Sequence, residues 1–176
     1  MNSNKNAIAQ KRELTEVKDA ADSLYEAAGK LTDTSASKSL FKKADKVTND
    51  ITSAVKDYVK NYNSLIEEAA DTTNSKVTGK VSFMTGQANA YKSSLEKVGI
   101  TINSDKTLSI DEDTFKKSDI SDVKKLFNGS GSMAYQTFVR ASDISSAAEN
   151  ASASVTSYGA DGMYNNYYNS AYNWYL

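Results

Sequence analysis

Apolar residues recur along this chain at intervals of three and four residues, which is the spacing of one face of an α-helix. Three long segments show the pattern regularly, at 14–31, 40–69 and 77–98. A fourth segment, roughly 132–157, carries a weaker stripe that is built mostly from small residues. Because stripes this regular are typical of bundle or coiled-coil seams, the sequence predicts four helices.

The stripes also predict which side chains form the core and where the helices end. Clusters of helix-capping residues at 32–37 and 71–75 separate the first three stripes, and short links of this kind favour antiparallel neighbours. The predicted core includes Leu24, Val47, Ile51, Tyr62, Leu65, Val81, Met84 and Leu95.

A short β-hairpin is predicted after the third helix. Gly99 follows the last periodic residue, where a helix often ends on a left-handed residue. Apolar and polar positions then alternate at 100–102 and again at 108–110, which is the pattern of two very short strands. A two-stranded hairpin is marginal alone, so we expect it to pack on a helix end.

Two capping residues are predicted beyond the hairpin. Asp111 is suited to cap a helix that holds Phe115, and Ser121 is suited to cap a short turn over 122–127. The sequence therefore predicts a mainly all-α fold, an antiparallel helical bundle or coiled coil with a small β-hairpin at one end. The bundle would occupy 1–157 with the hairpin near 100–110, followed by a Tyr/Asn-rich C-terminal tail at 158–176.

The tail differs in composition from the rest of the chain. It holds seven aromatic residues, including the single tryptophan of the protein. Tyr164, Tyr168 and Tyr172 are spaced by four residues, and Trp174 follows them. These four residues either pack over the open end of the bundle, which we favour, or bind a partner.

Charge and composition exclude several functional classes. Lysine and arginine total 21 against 22 acidic residues, and only two of the basic residues are arginines, so nucleic-acid binding is not expected. No apolar run is long enough for a membrane span, and the first residues lack the apolar region of a cleavable signal peptide.

Candidate catalytic and metal-binding groups are also weak. The chain has no cysteine and no histidine, which removes thiol nucleophiles, disulfides and the commonest general base. A calcium loop beginning at Asn103 lacks the turn glycine and the closing glutamate. The glycine-containing stretch at 129–132 has no lysine to bind phosphate. We therefore expect no enzyme activity, cofactor or metal.

Four pieces of sequence stand in a fixed order and spacing. Their residues are Val55, Tyr58, Val59, Tyr62, Asn63 and Leu65, then Leu95, Gly99 and Ile100, then Leu108, Ile110, Asp111 and Phe115, and finally Val123, Leu126 and Phe127. Together, over about residues 40–130, they resemble the C-terminal coiled-coil region of the flagellar filament cap protein family.

The resemblance implies a non-enzymatic structural protein similar to the coiled-coil leg of the cap. It further implies self-association into a homo-oligomer, contact with axial flagellar proteins, and an extracellular location on the bacterial flagellum; without it, the expected location is cytoplasmic. The pattern fails at 158–176, where the family has another long helix. The alternative is a helical binding module that presents its aromatic tail to a glycan or a peptide.

Overall fold

The computed structural model describes residues 2–35 and 37–157, with side chains described for 5–35 and 37–155. Within these ranges the elements, in chain order, are α1 (Asn2–Thr32), α2 (Asn49–Asp71), α3 (Ser75–Asn89), α4 (Lys92–Lys97), β1 (Ile100–Ile102), β2 (Leu108–Ile110), α5 (Glu112–Lys117), α6 (Ile120–Phe127) and α7 (Met133–Ser157). The predicted fold class, mainly α-helical with a small β-hairpin, is confirmed.

The four long helices α1, α2, α3 and α7 form an up-down-up-down bundle. The most extensive pair is α1 with α7, followed by α1 with α2. The Tyr25 ring stacks on Phe138 with centroids 4.2 Å apart, and nearer the start of α1 the Ser145 hydroxyl donates to Asp22 at 2.5 Å. A residue nearer the start of α1 thus contacts a residue nearer the end of α7, so the two helices are antiparallel.

Seven of the eight predicted core residues are buried. They are Leu24, Ile51, Tyr62, Leu65, Val81, Met84 and Leu95. Val47 is partly buried and packs against the core from outside any helix.

The second helix begins later than its stripe predicted. It starts at Asn49, where the hydroxyl of Thr48 accepts a hydrogen bond from the Ile51 backbone N–H at 3.2 Å. Residues 37–48 form turns and bends, yet Phe41 within them is buried. The Lys124 ammonium group also donates to the Ala44 carbonyl at 2.9 Å. The prediction of a helix over 40–48 and of a short link before it is wrong, because these apolar residues reach the core from a loop.

The third predicted helix is divided into two. α3 ends at Asn89, and Ala90 and Tyr91 form a turn before α4. Asparagine is a weak helix former, and the Tyr91 hydroxyl accepts a hydrogen bond from the Gln136 amide at 2.7 Å. The break redirects the chain, so that Leu95 of α4 is buried at the end of the bundle.

The hairpin follows α4 and packs against α2. The strands β1 and β2 are antiparallel, with Ile100 opposite Ile110. Gly99 has the left-handed φ of 76° that its position predicted, and Asp111 caps α5 as predicted. Ser121 is not a cap.

The cap of α6 is Asp119, whose side chain accepts from the Ser121 backbone N–H at 2.7 Å. An aspartate two positions earlier in the chain therefore took the role that was predicted for Ser121. None of the described helices combines the length and the apolar character needed to cross a membrane.

Candidate functional site

The residues that carry the family resemblance lie together at the hairpin end of the bundle. The Tyr58 ring meets Phe127 edge-on, with centroids 5.7 Å apart, and Phe127 meets Phe115 in the same way at 6.4 Å. The Tyr58 hydroxyl shares a hydrogen bond with the Thr137 hydroxyl at 2.8 Å. One aromatic cluster thus joins α2, α5, α6 and α7.

Asn63 attaches the hairpin to α2 through two hydrogen bonds. Its amide nitrogen donates to the Leu108 carbonyl at 2.8 Å, and its amide oxygen accepts from the Leu108 backbone N–H at 2.7 Å. A salt bridge between Lys56 and Glu112 links α2 to α5 nearby. So short a hairpin needs a helix to pack on, but it packs on the interior of α2 at Asn63 and not on a helix end as expected.

Burial limits what these motif residues do chemically. The buried ones are Val55, Tyr58, Val59, Tyr62, Leu65, Leu95, Ile100, Leu108, Phe115, Val123, Leu126 and Phe127. Loss of contact with water raises the pKa of Tyr58 and of Tyr62 well above the ordinary range, so both phenols stay neutral. This cluster is packed core, and it holds the hairpin in place rather than exposing groups to a ligand.

The predicted partner-binding residues Tyr164, Tyr168, Tyr172 and Trp174 lie outside the described residues.

An exposed aromatic patch lies on the other side of α7. We define it as Tyr25 of α1 together with Tyr135, Phe138 and Val139 of α7. Phe138 stacks against both tyrosines, at 4.2 Å from Tyr25 and 6.2 Å from Tyr135 between centroids. Tyr25 and Tyr135 are each 38% exposed. A Cβ atom on Gly29 would lie 3.3 Å from the Phe138 ring, so this glycine leaves room for the ring.

The aromatic patch was not predicted from the sequence. The stripe at 132–157 predicted a seam of mostly small residues, with no binding role for Tyr135, Phe138 or Val139. The spacing of these three residues, i, i+3 and i+4, was the available signal that they share a face. The contribution of α1 had no signal in the sequence, because it depends on which helix packs beside α7.

The outer face of α7 also carries little charge. Residues 133–155 carry three charged side chains: Glu149 is exposed, and Arg140 and Asp143 pair with each other at 3.2 Å with 33% and 44% of their side chains exposed. The exposed positions of α1, by contrast, include Arg12, Asp19 and Glu26. Interface cores are depleted of charge and enriched in aromatic residues, so the aromatic patch is the best candidate protein-binding surface of the described chain.

A groove of about 1030 Å³ opens at the end of the bundle away from the hairpin. Ala7 and Gln10 line it from α1, and Lys76 and Lys80 line it from α3 together with Asn74 and Ser75 at the start of that helix; α7 contributes the remaining wall. The α7 residues in this wall are Asp143, Ser146, Ala147, Asn150, Ala151, Ser154 and Val155. Small side chains on α7 keep this space open.

The described side chains contain no group of three or more carboxylate, imidazole or thiol ligands suited to a metal ion. Comparison of the chain with protein-family models, curated proteins and solved structures finds no match in any of the three.

Proposed function

We propose that this protein is a non-enzymatic assembly protein that associates with other protein chains through the aromatic patch. The observation that carries the proposal is the stacked row of Tyr25, Phe138 and Tyr135 beside Val139, in which both tyrosines and Val139 are exposed and Phe138 is half-buried between them. Burying an aromatic or large aliphatic side chain contributes about 1.5–3 kcal/mol. A partner that covers the patch therefore gains apolar contact, chiefly along α7, where fewer charged side chains are exposed than on α1.

A second copy of the chain is the first partner to consider. The formal net charge is −1, so two copies repel each other little. A two-fold arrangement of α7 against α7 would place the aromatic patch of each copy against that of the other, as a self-complementary interface requires.

We also propose that the protein is related to the coiled-coil leg of the flagellar filament cap, which the order and spacing of the four motif pieces support. The residues of those pieces are coupled to one another, as the Asn63–Leu108 hydrogen bonds and the Tyr58–Phe127 contact illustrate. A relative of the cap leg would use such a unit as scaffold and would bind axial proteins through its exposed helical faces.

Sedimentation velocity over a wide concentration range tests the patch. We expect the wild-type protein to associate as its concentration rises and the double variant Tyr135→Gln/Val139→Gln to stay monomeric. Phe83→Gln is the matched control, because Phe83 is 55% exposed on α3 and lies outside the patch. Monomeric wild-type protein throughout, or equal association of wild type and double variant, would contradict the proposal.

The flagellar assignment is tested by binding of purified hook or filament proteins to immobilised wild-type protein and to the same double variant. Capture by the wild type alone is expected. Self-association without any such capture would support the aromatic patch as an interface and would contradict the flagellar assignment.

A further inference from the structure

The apolar stripe of α7 continues toward its C-terminal end beyond the part that the adjacent helices cover. Ala148 is fully buried, whereas Ala151 and Val155, one and two turns later, are partly buried and line the groove. On α1 at the same end of the bundle, Ile8 is 66% exposed. A seam that continues without a covering helix is a surface still available for apolar contact.

The chain itself supplies an apolar segment at this place. α7 is described to Ser157, and residues 158–176, the C-terminal segment, follow within one turn of Val155. The segment contains seven aromatic residues and a single charged side chain, Asp161. We propose that the C-terminal segment occupies the groove between α1, α3 and α7 of its own molecule, with its aromatic side chains against Ala147, Ala151 and Val155.

Length and volume fit this occupant. Nineteen residues span up to about 60 Å when extended, whereas the groove follows α7 over 143–155, roughly 18 Å of helix. The segment is therefore long enough to turn and run back along the groove. Pockets of about 300–1,000 Å³ bury most of a drug-sized ligand, so the 1030 Å³ groove has room for several aromatic rings.

The charges of the groove suit the segment as well. Lys76 and Lys80 stand on the α3 wall, and the acidic side chain of the lining, Asp143, is paired with Arg140 at 3.2 Å. Ammonium groups bind favourably over aromatic faces, and the one charged residue of the segment is the acidic Asp161. The wall thus offers positive charge to an aromatic and slightly acidic segment.

Covalent attachment favours this segment over a separate partner. A tethered group reaches an effective concentration of the order of millimolar when its linker spans the site. The linker here is nearly absent, because Ser154 and Val155 already line the groove. The inference is independent of the aromatic patch, which lies nearer the start of α7.

Trp174 makes the inference directly measurable. The chain has one tryptophan and no cysteine, so a cysteine introduced by mutation is the unique site for a nitroxide label that quenches tryptophan at short range. The test variant is Lys80→Cys, on the groove wall. The matched control is Lys60→Cys, an exposed lysine on the outer face of α2. Neither lysine is buried, so both variants are expected to fold.

We expect the label at position 80 to remove most of the Trp174 emission and the label at position 60 to remove little. Equal quenching from the two positions, or emission typical of water-exposed tryptophan in unlabelled protein, overturns the proposal and leaves the groove to a separate partner. A second arm mixes unlabelled protein with an excess of labelled Lys80→Cys/Trp174→Phe protein. Quenching in that mixture would place the segment in the groove of another copy and overturn docking within one molecule.

Discussion

Two tyrosines on one face of α2 differ in a way that predicts opposite effects of the same substitution. The side chains of Tyr58 and Tyr62 are both fully buried, and their ring centroids lie 6.1 Å apart. The Tyr58 hydroxyl is hydrogen-bonded to Thr137 at 2.8 Å. The Tyr62 hydroxyl has no hydrogen-bond partner among the described residues.

Replacing each tyrosine by phenylalanine keeps the ring and removes the hydroxyl, so the change in stability reports the hydroxyl alone. Tyr58→Phe removes one hydrogen bond and leaves the buried Thr137 hydroxyl without that partner, and we expect a loss of about 1–2 kcal/mol. Tyr62→Phe removes a buried hydroxyl whose burial is uncompensated. We expect it to be neutral or to stabilise the protein by up to about 1 kcal/mol.

Urea unfolding followed by far-UV circular dichroism measures both variants. A difference of 1 kcal/mol corresponds to about 2–4 °C in melting temperature for a chain of this size, so thermal melts give a second reading. Thr137→Val, alone and combined with Tyr58→Phe, supplies a double-mutant cycle, and the double variant should lose less than the sum of the single losses.

The reasoning fails if Tyr62→Phe destabilises the protein as much as Tyr58→Phe. That result would mean that the Tyr62 hydroxyl is satisfied in solution. Additive losses in the cycle would mean that the Tyr58–Thr137 hydrogen bond contributes nothing.

Three further predictions concern the hairpin end and the core. Gly99→Ala should destabilise the protein more than Gly129→Ala. Both glycines have positive φ, but a Cβ on Gly99 would lie 2.8 Å from Thr114, whereas one on Gly129 meets nothing within 4 Å. Thermal melts compare the two variants, and equal losses of stability would contradict the steric argument. Leu65→Ala should cost about 2–5 kcal/mol in urea unfolding, since the side chain is fully buried, and a loss below 1 kcal/mol would mean that the site is not packed. Hydrogen bonds from the Thr114 backbone N–H and hydroxyl hold the pKa of Asp111 below its usual value, so the stabilisation is present above about pH 3.9 and is lost as the pH falls through the lowered folded value. Asp111→Asn should keep the helix cap at neutral pH and show a smaller loss of melting temperature between about pH 5 and pH 2. If the melting temperature falls with pH as it does in the wild type, the Asp111 carboxylate does not contribute to the acid sensitivity.

The sequence by itself determined the features that depend on neighbouring residues. The stripe at 14–31 became α1, alternation at 100–102 and 108–110 became the hairpin, and Gly99 and Asp111 took the backbone and capping roles that their positions predicted. Each of these rests on interactions within a few residues, such as a helix period, a cap or a left-handed turn, and such interactions leave a local pattern.

Tertiary structure decided where a regular stripe is helical. The apolar residues Leu40 and Phe41 precede α2 and pack on the core from a loop, which the hydrogen bond from Lys124 to the Ala44 carbonyl joins to α6. In the third stripe, the Gln136–Tyr91 hydrogen bond accompanies a turn that the apolar pattern does not show. The periodicity of apolar residues indicates which residues are buried, but a buried residue can lie in a helix or in a loop.

Tertiary structure also decided which faces remain open. The aromatic patch exists because α7 packs antiparallel to α1, which brings Tyr25 against Phe138 across more than 100 residues of sequence. The groove exists because the small residues near the end of α7 lie between α1 and α3. A sequence pattern gives the apolar side of each helix, but only the packing of all four long helices determines how much of that side is covered and what is left for a partner.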